Sequence, residues 1–127
     1  MTQGEFRDFL QDILEAICQL ERMTQDLSFA EFSTQIEIFL SAVKLLEIIG
    51  EAVKNIPDEV RVNYPNIPWK NIAGMRDKLV HEYWAIDEKV VWKVIQNNLP
   101  QLKRIITSPF IIPTCKSAFL NLSLKRF

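Results

Sequence analysis

The chain is poor in glycine, cysteine and histidine, and each shortage removes a class of function. Only Gly4, Gly50 and Gly74 occur, too few and too scattered for a glycine-rich phosphate loop or a dinucleotide-binding fingerprint. Cys18 and Cys115 are the only cysteines. They show no CxxC spacing and supply neither a zinc-finger ligand set nor a secreted disulfide framework, so reduced thiols are expected. There is no 18-residue apolar run, and the opening MTQGEFRDFLQD carries acids where a secretory leader needs an apolar stretch. A cytoplasmic protein without membrane association is the expectation. All six prolines lie at or beyond Pro57, which leaves the first 56 residues free of helix breakers.

What is present is an ordinary globular composition, 48% hydrophobic and 24% charged over 127 residues, enough for one domain with its own core. The net charge of −1 conceals an asymmetry: residues 1–60 carry four Lys/Arg against twelve Asp/Glu, and residues 61–127 carry eleven against four. Two readings fit. The halves are solvated faces that complement each other within the fold, or the basic half is a working surface for a polyanion.

Hydrophobic spacing predicts helices throughout. Phe6, Phe9, Leu10, Ile13, Leu14, Ile17 and Leu20 form one stripe at 3/4 spacing, with Asp8, Asp12 and Glu15 away from it. A second helix is expected to start at Ser28, which with Glu31 makes an S-x-x-E capping box, and to run unbroken along Phe32, Ile36, Phe39, Leu40, Val43, Leu46, Ile49 and Val53. A short turn is expected around Asp58 to Asn63, and Pro68 suits the first position of a third helix. In that helix Trp69, Ile72, Ala73, Leu79 and Val80 can face inward. Asp87 should cap a fourth helix, which Pro100 kinks or restarts. The expected architecture is all-α, a four- to five-helix up-down bundle over residues 1–107, followed by a C-terminal extension of unknown role over 108–127.

The third helix carries the chemistry. His81 is the single histidine, inside Arg76-Asp-Lys-Leu-Val-His81-Glu-Tyr83. Cleaving RNA without a metal requires a proton acceptor for the ribose 2′-hydroxyl, a donor for the departing 5′-oxygen and a cation for the phosphorane. Histidine changes charge near neutrality and suits either proton step. Arginine stays charged and presents a planar fork that matches phosphate oxygens. Five residues apart, the two would lie about 140° apart on a regular helix, so they do not share a face. Arg76 and Tyr83 would share one if the helix continued that far. Either the helix unwinds near His81, or a two-fold dimer brings two copies of the motif to one cleft. The composite cleft, with two histidines as an acid and base pair, is the favoured arrangement.

Glu47 and Glu51, four apart, are read either as an exposed acidic edge or as residues that orient Arg76 or His81. They make poor metal ligands, with no histidine or third carboxylate beside them. Trp69 and Trp92 have helical spacing that suits core packing. Trp84, next to the motif, suits contact with RNA or with a second subunit.

Several blocks, in order, carry a family resemblance: Asp8 to Glu15, Glu47-Ile-Ile-Gly-Glu-Ala52, Tyr64-Pro-Asn-Ile-Pro-Trp69, Ile72-Ala-Gly-Met-Arg-Asp-Lys-Leu-Val-His-Glu-Tyr83, and Val91-Trp92 to Leu102. Together, over roughly residues 5–107, they resemble the HepT-like family of the all-helical HEPN superfamily. The resemblance implies a homodimeric, metal-independent endoribonuclease that serves as the toxin of a type VII-like toxin-antitoxin pair. It also implies a cognate nucleotidyltransferase antitoxin that uses ATP and magnesium to attach AMP to the motif tyrosine; this chain itself would need no cofactor. On that footing Arg76 would engage the scissile phosphate and His81 would move the proton. Tyr83 would be a site residue and the adenylylation target, and Asp77 would match the polar residue that follows the motif arginine. Lys44 stands where relatives often have arginine, Trp84 where they often have phenylalanine, and the segment after Thr107 has no counterpart. The alternatives are a catalytically inactive HEPN module that binds a nucleotide or partner, and a structural adaptor whose basic half meets an acidic partner.

Overall fold

The computed structural model describes residues 3–107, which form four helical rods. The first is α1 (Gln3–Thr24). The second is α2 (Phe29–Thr34) followed by α3 (Ile36–Lys54), and a short α4 (Asp58–Arg61) leads to the third, α5 (Trp69–His81). After a 3-10 turn at Tyr83–Ala85, the fourth rod runs through α6 (Glu88–Lys93), a π-helical turn (Val94–Asn98) and α7 (Leu99–Ile106). Helix α3 packs against both α1 and α5, α7 returns to α1, and α2 meets α6. The chain thus forms the all-α bundle expected of it. The proposed extension, 108–127, lies outside the described residues.

The core is the meeting of two stripes. Leu10, Leu14, Ile17 and Leu20 of α1 and Leu46, Ile49 and Val53 of α3 have no accessible surface, and each such side chain contributes about 1.5–3 kcal/mol relative to exposure. Around the middle of α1 the enclosure is complete: every residue from Ile13 to Cys18 is buried. Glu15, expected away from the stripe, is therefore inside at 4% exposure. Cys18 is buried at 3% exposure, and Cys115, the other cysteine expected as a reduced thiol, lies outside the described residues.

The capping box forms as its spacing predicts. Ser28 Oγ accepts from the Glu31 N–H at 3.1 Å, and Glu31 Oε1 accepts from the Ser28 N–H at 2.9 Å. The long helix expected to follow is interrupted. Gln35 adopts an extended conformation (φ −96°, ψ 92°) and separates α2 from α3. Local hydroxyl competition explains the break: Ser33 and Thr34 donate back to the Ala30 carbonyl at 3.2 and 2.8 Å, bonds that compete with continuing the backbone ladder. The break also re-aims the stripe, so that Phe32 is fully buried while Ile36 and Leu40, expected inside, are 58% and 57% exposed.

Prolines mark the remaining joints. Pro68 precedes α5 as its cap residue, one position earlier than expected. Trp69 is buried and anchors that start, its indole N–H shared between the Arg61 and Tyr64 carbonyls at 3.2 and 3.1 Å. Arg61 in turn donates to the Val53 and Ile56 carbonyls at 2.7 and 2.8 Å, closing the end of α3. Asp87 caps α6 through the Lys89 N–H at 2.9 Å. Pro100 does not stop the fourth rod; a wide π-turn precedes it, accommodating the missing N–H and the crowding of the preceding turn. Trp92 packs against Phe32 and Phe29 with ring centroids 5.0 and 6.1 Å apart, the core role expected of it.

Candidate active site

The site starts from a glycine. A Cβ on Gly50 would overlap the Arg76 Cβ, 2.7 Å from its Cγ and 3.3 Å from its Cα. Helices α3 and α5 therefore touch at backbone level, and the absence of a side chain at 50 sets where Arg76 begins.

From that contact Arg76 extends along α3. Its Nη2 lies 3.1 Å from Glu51 Oε2, and its Nη1 donates to Asp77 Oδ1 at 3.3 Å. The same Asp77 oxygen accepts from Lys54 Nζ at 2.7 Å. Four charges of alternating sign, Lys54, Asp77, Arg76 and Glu51, thus join the last turns of α3 to the middle of α5. The Lys54 ammonium holds the Asp77 carboxyl below its ordinary range; partial loss of solvent opposes this, and Arg76 adds to the lowering. Arg76 is mostly enclosed, its side chain 24% exposed, whereas Glu51 is 54% exposed.

The two glutamates separate. Glu51 reaches Arg76, as one of its two readings held. Glu47 instead meets Lys44 within α3 at 3.8 Å, and among the described residues no ion pair links it to Arg76 or His81.

His81 is the last residue of α5. Glu82 leaves helical geometry (φ −127°, ψ 42°), so Tyr83 falls in the following 3-10 turn and does not share a helix face with Arg76. The chain unwinds directly after His81. His81 is exposed, and the adjacent Tyr83 and Trp84 are 70% and 73% exposed. Their rings meet edge-on at 5.3 Å and 78°. Among the described residues no hydrogen bond or ion pair joins His81 or Tyr83 to Arg76. The motif therefore has two parts, an anchored cation inside the α3–α5 contact and an open histidine-aromatic edge at the end of α5.

Lys54 was not read from the sequence as a site residue. Its signal was present, since it follows Glu51 by three positions and so shares its helix face. Among the described residues no three His, Cys, Asp or Glu side chains cluster as a metal site, and no helix is long and apolar enough to cross a membrane.

Comparison with known proteins agrees with the blocks that form this site. The family model "Ribonuclease HepT-like" matches residues 13–108. "Probable ribonuclease HepT" of Thermococcus cleftensis is 42% identical over 97 residues, covering 76% of this chain and 88% of the relative. "Putative RNase MJ1216" of Methanocaldococcus jannaschii is 40% identical over 104 residues, covering 82% and 86%. "Putative RNase TTE0752" of Caldanaerobacter subterraneus is 41% identical over 98 residues, covering 77% and 88%. No solved structure matches.

Proposed function

Because the chain belongs to the ribonuclease HepT-like family, we propose that it is a metal-independent endoribonuclease acting through Arg76, His81 and Tyr83, and the toxin of a type VII-like toxin-antitoxin pair. The observation that carries the reading is the presentation of the motif: the only histidine of the chain stands exposed at the end of the helix that anchors Arg76.

The chemistry follows from the residue types. The ribose 2′-oxygen attacks phosphorus as its proton passes to a histidine. The bond from phosphorus to the 5′-oxygen breaks, and that oxygen takes a proton from an imidazolium. The products are a 2′,3′-cyclic phosphate and a 5′-hydroxyl. Arg76 meets the charge that builds on the phosphorane oxygens, a task suited to a fixed guanidinium fork. One chain supplies one histidine, so an acid and base pair calls for a homodimer in which two motif edges line one cleft. The exposure of His81, Tyr83 and Trp84 together supports that arrangement. Trp84 then offers an indole face to an unpaired base or to the second subunit.

Tyr83 is the proposed adenylylation target of a cognate nucleotidyltransferase antitoxin, which brings ATP and magnesium; its exposed ring leaves the phenol open to such a partner. A phosphodiester there would put volume and negative charge where the RNA phosphate must pass. We place the whole system in the cytoplasm, where RNA and ATP are at hand, with no role for a membrane.

The test is induction of the wild-type chain beside His81→Ala. Growth arrest with fragmented RNA in the wild type, absent in His81→Ala and relieved by coexpressing the antitoxin, supports the reading. A folded dimer that neither arrests growth nor cuts RNA would replace it with a catalytically inactive module that binds a nucleotide or partner.

A further inference from the structure

Asp77 adjoins Arg76 in sequence and can compete for it. A carboxylate free to swing onto an arginine fork can take it bidentately, occupying the donors a phosphate would need. The structure shows a different division. Lys54 Nζ holds Asp77 Oδ1 at 2.7 Å, while Arg76 Nη1 reaches that same oxygen only at 3.3 Å. Glu51 Oε2 pairs with Nη2 by charge at 3.1 Å. A guanidinium has five N–H donors, so among the described residues one is hydrogen-bonded to a carboxylate and four are left for an incoming anion. Lys54 also balances the cluster. With it the four charges sum to zero, and without it they sum to −1, a field that repels phosphate.

We propose that Lys54 is a positioning residue for RNA cleavage, tethering Asp77 to α3 so that Arg76 keeps its remaining donors for the scissile phosphate. The proposal rests on the ribonuclease reading. Lys54 acts through Asp77 and is not required to touch the RNA, which separates it from an ordinary phosphate-binding lysine.

The experiment is single-turnover cleavage of a short RNA by the full chain in wild type, Lys54→Met, Lys54→Gln, Lys54→Arg, Asp77→Asn and the Lys54→Met/Asp77→Asn double variant. Binding of the same RNA carrying 2′-O-methyl groups is followed by fluorescence anisotropy, and a melting curve checks folding. Lys54→Met and Lys54→Gln should each slow cleavage about three- to tenfold, the scale of coupling between contacting groups, and Lys54→Arg should recover most of that loss. In the Asp77→Asn background Lys54→Met should add no further loss, because the competing carboxylate is already gone. The proposal is overturned if cleavage is unchanged in Lys54→Met and Lys54→Gln. It is also overturned if Lys54→Met costs the same factor with and without Asp77, with an equal loss of 2′-O-methyl RNA binding, which would make Lys54 a direct RNA contact. A folded wild type that binds the RNA but leaves it uncut would instead overturn the ribonuclease reading, and this proposal with it.

Discussion

Gly50 and Arg76 occupy the same point of contact between α3 and α5: a side chain at one would overlap the side chain of the other. Helical glycine is ordinarily costly, and replacing it with alanine gains up to about 1 kcal/mol. At Gly50 that sign reverses. The atom in the way is the Arg76 Cβ, tied to the backbone, so the helices must separate, and overpacking of this kind costs about 1–3 kcal/mol. Gly50→Ala should lower stability by that amount in urea unfolding and depress RNA cleavage further by moving Arg76. Gly74, with nothing within 4 Å of a Cβ, is the internal control; Gly74→Ala should stabilise by about 0.5–1 kcal/mol.

The capping box should behave as a local device remote from the chemistry. Ser28→Ala removes the acceptor for the Glu31 N–H and should cost about 1 kcal/mol. Cleavage at permissive temperature should match the wild type, because α2 carries no motif residue. An RNA cleavage defect in a fully folded Ser28→Ala protein would contradict this separation.

Acid should loosen the α3–α5 contact. Asp77 titrates below its ordinary value of 3.8, chiefly because of the Lys54 hydrogen bond. A carboxyl with a lowered folded-state pKa contributes stability that is present above its unfolded pKa and lost as pH falls through the folded one. Unfolding free energies of wild type and Asp77→Asn, measured from neutral to acid pH, should differ most near neutrality and converge below the folded pKa. Glu31, lowered by its hydrogen bonds to Ser28, moves in the same direction. A gap that widened in acid would contradict the Lys54–Asp77 assignment.

Tyr83→Phe separates modification from fold. The ring is exposed, so removing the hydroxyl should leave the melting temperature unchanged while abolishing transfer of labelled AMP by the proposed nucleotidyltransferase partner. Continued labelling would move the target to another residue.

Much of this molecule was legible beforehand because its signals are local. The capping box, the Asp87 cap and the α1 stripe depend on residues within one or two turns of each other, and they formed as spacing predicts. The misreadings share a cause. The Gln35 break arises from hydroxyls that bond their own backbone, and a stripe of Phe32, Ile36 and Leu40 cannot register it. Glu15 is buried because the middle of α1, from Ile13 to Cys18, is enclosed around its circumference, a tertiary fact. The motif was visible as a string, and Glu51 as a candidate to orient Arg76. That Glu51 and not Glu47 reaches Arg76, and that Lys54 shares Asp77, follow from the crossing of α3 and α5 at Gly50. That crossing is a property of two helices together.

The central claim is tested most directly by cleavage of a defined RNA in excess chelator by purified wild type, Arg76→Ala and His81→Ala, with circular dichroism and dimer mass checked for each. The account predicts chelator-resistant cleavage by the wild type, ending in 2′,3′-cyclic phosphates, and its abolition in both variants with helicity and mass unchanged. Cleavage that persists in folded His81→Ala, or that the chelator removes from the wild type, would contradict it.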